Sequence, residues 1–190
     1  MKRFSIASLG AIALVASVSF VGEMPVSASL KQVGTAIAQN VQRQQPQVQL
    51  NLIAAKKVMQ KDQEGKPQVT WQPMQGSVVV QPGDVIRYNL NAINNSDRPA
   101  NNLVFTQPIP QRTQYVLNSA AADSKATKIT YSIDNGKSFV AQPTVQVKLP
   151  DGKVETRPAP AEAYTHVRWN FVSAVQPKAT LQGTYQVQVK

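Results

Sequence analysis

The sequence predicts an all-β domain, an antiparallel β-sandwich, and three observations predict it. Short runs after residue 47 alternate apolar and polar side chains with a period of two, which gives a strand one buried face and one wet face. Turn signals made of Pro, Gly, Asn and Asp separate those runs about every ten residues. No stretch of this region carries the apolar period of an amphipathic helix.

Residues 1–28 read as a secretory signal peptide. Lys2 and Arg3 supply a charged start, residues 4–22 are apolar or small without a charge, and Val26, Ser27 and Ala28 form a small-residue cleavage site. The cut falls between Ala28 and Ser29. An uncleaved membrane anchor is the rival reading, because the apolar run approaches the length of a span; its serines and the cleavage site favour removal. Cysteine is absent from the chain, which excludes a disulfide, a thiolate nucleophile, a thiolate metal ligand and a lipid anchor on cysteine. Lys2-Arg3 is not a twin-arginine signal. The expected address is outside the cytoplasm, in periplasm, cell surface or medium, with no stable membrane insertion after cleavage.

Residues 29–47 are rich in glutamine and lack aromatics. Val33, Ile37 and Val41 recur at helical spacing, so part of the stretch can form a short helix. It is too polar to fold alone and reads as a linker, or alternatively as a partner-binding arm. Residues 48–190 then form the domain, long enough to bury about two-thirds of the unfolded surface without a covalent brace.

Within it, Val48, Leu50 and Leu52 alternate into a first strand, and the charged run 56–67 is expected to loop out. Val69 and Trp71 suit a short edge strand ended by Pro73, with Trp71 half exposed. Residues 77–80 read as a short β-branched strand before a Pro82-Gly83 turn. Ile86, Tyr88, Leu90 and Ala92 share an inner face, with Arg87, Asn89 and Asn91 outside. A polar turn over 94–102 leads to a strand at 103–105 that closes on Pro108 and Pro110. Another short strand is expected at 114–117, and a polar connection over 120–128. Ile129, Tyr131 and Ile133 alternate up to Asp134-Asn135-Gly136-Lys137, a turn whose Asn and Gly accept positive φ. Val145, Val147 and Leu149 run to a Pro150-Asp151-Gly152-Lys153 turn, with a return over 154–156 and an irregular crossing over 157–163. Val167, Trp169 and Phe171 point one way and His166, Arg168 and Asn170 the other. Tyr185, Val187 and Val189 close the core, with Gln186, Gln188 and Lys190 outside.

These residues also resemble a known family. Pro82-Gly83-Asp84, the alternating strand, Asn95-Ser96, the strand at 103–106 and Pro108-Ile109-Pro110 are similar to the bacterial surface repeat called domain of unknown function 11 (DUF11), in single copy. Trp169 and the last strand fit the same pattern. The resemblance implies an immunoglobulin-like fold outside the cytoplasm and no reaction. The family often places an acidic residue just before the Pro-x-Pro element, where this chain has Gln107, so no carboxylate role carries over there.

The formal charge is +10, and removal of Lys2, Arg3 and Glu23 with the leader leaves +9. A basic exported chain is drawn to anionic lipid, acidic glycan and wall polymers; the plainer reading is that scattered charge keeps it soluble. His166, the single histidine, falls on the polar side of its strand without a nucleophile elbow or a metal-binding helix motif, so it reads as an exposed strand histidine. Asp84, Asp97, Asp123, Asp134 and Asp151 sit mostly in turns, where a carboxylate bonds the backbone two residues on. Asp134-Asn135-Gly136 resembles part of a calcium loop but lacks the later acids, and the hairpin turn is preferred. No catalytic, metal or cofactor site is therefore expected, the ligand-binding residues are undefined, and the aromatics follow the apolar parity rather than a nucleic-acid surface. Trp169 is expected in the core. The function expected is a non-catalytic structural, adhesive or protein-interaction module of the bacterial envelope, its partner an envelope protein met by outward polar residues or an edge strand. The alternative is a binder of an anionic envelope polymer or glycan through the basic surface. An enzyme would need paired acids, or an acid beside His166.

Overall fold

The computed structural model describes residues 47–75 and 79–190, together with the backbone of 15–18. The cleavage position at Ala28 and Ser29 and residues 29–46 of the linker expected over 29–47 lie outside the described residues, as do Ser77 and Val78 of the strand expected before the Pro82-Gly83 turn.

Two antiparallel sheets pack face to face. The larger runs β3 (Pro67–Pro73), β2 (Val48–Lys61), β4 (Val85–Asn94), β12 (Thr180–Val189) and β6 (Thr113–Tyr115), with β7 (Ala121–Ala122) also on β12. The smaller runs β1 (Val15–Val18), β5 (Leu103–Pro108), β11 (His166–Phe171) and β8 (Thr127–Ser132). A separate ribbon of β9 (Thr144–Lys148) and β10 (Val154–Pro158) projects from the domain with mostly exposed side chains. One short 3-10 turn, Ala161–Ala163, precedes β11. Backbone 15–18, inside the expected leader, pairs with β5 at the edge of the smaller sheet.

The period-two reading of the inner faces holds. Ile86, Tyr88, Leu90 and Ala92 of β4 and Tyr185, Val187 and Val189 of β12 meet Leu103 and Phe105 of β5 and Val167, Trp169 and Phe171 of β11. Trp169 is the centre of this layer, with 0% of its surface exposed. Its Nε1 donates to the Ala121 carbonyl at 2.9 Å, its ring lies 5.8 Å from that of Tyr185, and its flat side rests on Gly183. Tyr185 stacks on Tyr88 at 5.1 Å, and Phe105 meets Phe171 edge-on at 4.9 Å. Each such ring buries about 150–250 Å² and dominates the apolar gain of folding.

Several boundaries differ from the sequence reading. The loop expected over 56–67 is largely strand: β2 continues to Lys61 and folds back on β3, leaving only a tight turn over 62–66. Cross-strand partners hold it there, because Val58 pairs with Thr70 and Lys57 with Trp71, and Lys56 Nζ lies 2.6 Å from Asp84. Val79 and Val80 form no strand, although Val80 is buried. The short strand expected at 114–117 begins one residue earlier and ends at Tyr115. The connection 120–128 contains β7 and the start of β8. The return strand at 154 runs on to Pro158.

Polar residues also enter the interior. Asn94 is fully buried at the end of β4, where its Nδ2 donates to the carbonyls of Arg98 at 2.7 Å and Val175 at 3.0 Å. Its Oδ1 accepts from the Ser96 amide and hydroxyl. This single side chain ties together the turn 94–102 and the segment before β12.

Candidate functional site

The two outer faces of the sandwich differ in chemistry. On the larger sheet the register sets amides side by side. Asn51, Asn91 and Gln182 form one row across β2, β4 and β12. The next rows hold Ile53, Asn89 and Thr184, then Ala55, Arg87 and Gln186. Gln182 Nε2 donates to Asn91 Oδ1 at 3.1 Å, and Gln114 Nε2 to Gln188 Oε1 at 3.1 Å. Arg87 is the charge on these rows, and its guanidinium lies 4.3 Å over the ring of Trp71. That contact half covers Trp71, in keeping with the half-exposed side chain expected, and takes one ring face from any stacking ligand.

On the smaller sheet β5, β8 and β11 contain no acidic residue. Outward parity brings Thr106, Arg168 and Thr130 into one row and Asn170 and Lys128 into the next. A shallow pocket of about 250 Å³ opens there, lined by Thr106, Pro108, Asn135, Gly136, Phe139, His166 and Arg168. Its floor is β5 and β11, and its wall is the loop after β8.

That loop is fixed by local bonds. Asn135 and Gly136 take φ of 59° and 83°, the left-handed pair that the Asn-Gly sequence allows. Ser132 Oγ accepts from the Gly136 amide at 2.8 Å and donates to Asp134 Oδ1 at 2.7 Å. Asp134 also accepts from the Ser138 amide at 2.9 Å and from its hydroxyl, and these bonds hold its carboxyl well below the usual range. The chain then bridges back, Val140 to Tyr131, and delivers Phe139 to the pocket.

Phe139 stacks under Arg168, whose guanidinium carbon is 3.4 Å from the ring centroid. Arg168 Nε donates to Thr106 Oγ1 at 3.1 Å. Its two Nη groups have no hydrogen-bond partner, and no carboxylate lies within 4.0 Å, among the described residues. Partial burial lowers its pKa, yet a guanidinium stays charged across the physiological range. The neighbouring His166 is lowered by burial first and by Arg168 second, against an opposing pull from Asp134. It is therefore neutral at neutral pH. Its Nδ1 lies 3.1 Å from Thr165 Oγ1, a hydroxyl that itself donates to the Ser132 carbonyl at 3.1 Å. Nε2 lies beside Gly136, on the pocket side of the ring. His166 and Asp134 each bond other groups rather than each other.

Three further acids bond the backbone, as their positions in turns suggested, whereas Asp97 pairs with Lys178. Asp84 Oδ2 accepts from the Gln81 amide at 2.7 Å, Asp123 Oδ2 from the Gln182 amide at 2.9 Å, and Asp151 Oδ1 from the Lys153 amide at 3.1 Å. Gln107, where the resembling family often has an acid, faces inward with 0% exposed. Neither polar atom of its amide has a hydrogen-bond partner among the described residues. A neutral amide costs far less to bury there than a carboxylate would. Tyr115, Tyr131 and Tyr164 cluster at one end of the core with ring centroids 5.1–5.4 Å apart. Burial raises Tyr131 and Tyr164 above the ordinary phenol value, so both are neutral and structural.

Sequence parity placed His166 and Arg168 on the outer face correctly. It missed Phe139 and Thr106 as their partners. The nearest signal was the Asp-Asn-Gly turn, three residues before Phe139, which fixes where the chain must return. Comparison with protein-family models, with curated proteins and with solved structures finds no match to this chain.

Proposed function

We propose that this is an exported, non-catalytic interaction module of a bacterial cell envelope, structural or adhesive, that makes contact through the amide face of its larger sheet. The observation that carries this reading is the cross-strand alignment of Asn51, Asn91 and Gln182, with Asn89, Thr184 and Gln186 in the adjoining rows. Amides donate and accept at once, and they cost less to desolvate than ions. A flat, weakly charged field of them suits wide, water-bridged contact with a protein or polymer surface. Export rests on the signal-like residues 1–28, and the resemblance to DUF11 agrees with that compartment and with an immunoglobulin-like domain.

The test is co-sedimentation of residues 29–190 with isolated envelope fractions, wild type against Asn91→Glu and Gln182→Glu together. Charging the centre of the face should abolish binding while leaving the fold intact. Undiminished binding by the variant contradicts this surface.

A second reading is favoured by a different observation. Lys128 and Arg168 stand on the acid-free strands of the smaller sheet in a chain of formal charge +10. In that reading the domain holds an anionic envelope polymer or glycan, and its binding fades as salt screens the charges.

A further inference from the structure

We propose that the pocket between β5, β11 and the 134–139 loop is a subsite for a single sugar acid, a uronate unit, whose carboxylate sits in the fork of Arg168. This inference concerns the face opposite the amide rows and does not depend on their role.

Four features of the pocket carry it. First, Arg168 is preorganised. Phe139 holds the plane of the guanidinium at 3.4 Å and Thr106 holds Nε at 3.1 Å, so little side-chain freedom is left to lose on binding. Second, the cation is uncompensated. The Nη groups lack partners among the described residues, and the three strands beneath have no acid. A planar fork of two N–H groups matches a carboxylate bidentately. Third, the rest of the lining suits hydroxyls rather than a second charge. His166 lines it as an uncharged imidazole, and the Asn135 side chain makes no hydrogen bond to the described residues. Fourth, the volume of about 250 Å³ is below the roughly 300–1,000 Å³ of sites for drug-sized ligands, and so takes one ring rather than several. Lys128, one row along on the same outer face, lies where the next acidic unit of a polymer would run.

The single histidine makes the test direct, because its ring signals in a carbon–proton NMR spectrum need no assignment. The purified protein is titrated at constant ionic strength with D-glucuronate, D-glucose, acetate and inorganic phosphate. The expected result is a saturable shift of the His166 ring with glucuronate, at least ten-fold weaker with acetate, and none with glucose. Arg168→Gln should abolish it. Arg168→Lys, which keeps the charge and loses the fork, should weaken it at least ten-fold. Unchanged tryptophan emission, from the buried Trp169 and the half-covered Trp71, checks that each variant is folded, and if Arg168→Gln fails that check, Arg168→Lys carries the test. The proposal is overturned if glucuronate gives no shift, if phosphate or acetate matches it, or if Arg168→Lys binds as wild type.

Discussion

Gly183 offers the sharpest test of how the two sheets are fitted together. It lies in the middle of β12, opposite Leu90 on one side and Ala122 on the other, and has no positive φ. By backbone preference alone, alanine there should stabilise the domain by about 0.4–1 kcal/mol, because it restricts the unfolded chain. The packing says the opposite. A Cβ at this position would stand 3.3 Å from Cδ2 and Cε2 of Trp169, inside ordinary carbon–carbon contact of about 3.5–4.0 Å. The indole has nowhere to go: it is fully buried, anchored to the Ala121 carbonyl, and backed by Tyr185 and Tyr88. Overpacking of this kind costs about 1–3 kcal/mol. The clash therefore outweighs the entropic gain, and Gly183→Ala should lose about 1–2 kcal/mol net. For a domain of this size that lowers Tm by about 3–10 °C. Urea and thermal unfolding followed by circular dichroism would measure it. A double-mutant cycle isolates the cause. In a Trp169→Phe background the smaller ring frees space for the methyl group, so the cost should fall by about 1 kcal/mol or reverse. A Gly183→Ala protein as stable as wild type, or costs that simply add, would refute the contact.

Three further outcomes follow from the same coordinates of charge and burial. Trp169→Ala should cost about 3–5 kcal/mol by emptying the centre of the core, read as a large drop in Tm; an unchanged Tm would contradict the placement of this ring. Asn94→Ala should cost about 1–3 kcal/mol in urea unfolding, since it removes the side-chain bonds to the Arg98 and Val175 carbonyls and to Ser96 and frees the turn 94–102, although Val175 keeps the Ala100 amide; a loss below 0.5 kcal/mol would show the network to be dispensable. For His166 the folded pKa lies below the unfolded value of 6.5, so the unfolded chain binds the proton more readily. Its contribution is fully present above pH 6.5 and is lost as pH falls through the lowered folded value. Thermal unfolding from pH 7 to pH 5 should therefore show a slope that His166→Gln flattens, and an identical slope in the variant would refute the shift. Asp134 is depressed too, so its share is lost only further down, below the ordinary carboxylate range.

The inner faces were legible because period-two alternation is strict where one face is dry. Ile86 to Ala92, Val167 to Phe171 and Tyr185 to Val189 each show it, and the register of the sheets follows. The far half of β2 was not legible. Lys56, Lys57 and Lys61 make that run look like a loop, and only its pairing with β3 and the Lys56–Asp84 contact hold it extended. Strand propensity there is set by the partner rather than by the residues themselves. Asn94 read as the start of a turn, which it is, but its burial depends on the Val175 carbonyl arriving from a point 81 residues later. The Arg168 pocket was half legible for the same reason. Alternation puts Arg168 and His166 outside, whereas Phe139 reaches them only through the loop bonds of Ser132 and Asp134. The amide rows of the larger sheet were visible as outward glutamines and asparagines, but their alignment is a property of register.

The most direct test of the proposed role is co-sedimentation of residues 29–190 with isolated envelope fractions across a salt series. Contact through the amide face predicts binding that persists from low to high ionic strength, because few fixed charges meet there. Binding that fades with salt would contradict that surface and transfer the contact to Lys128, Arg168 and the basic side of the sandwich. Failure to bind at any salt would contradict an envelope role altogether.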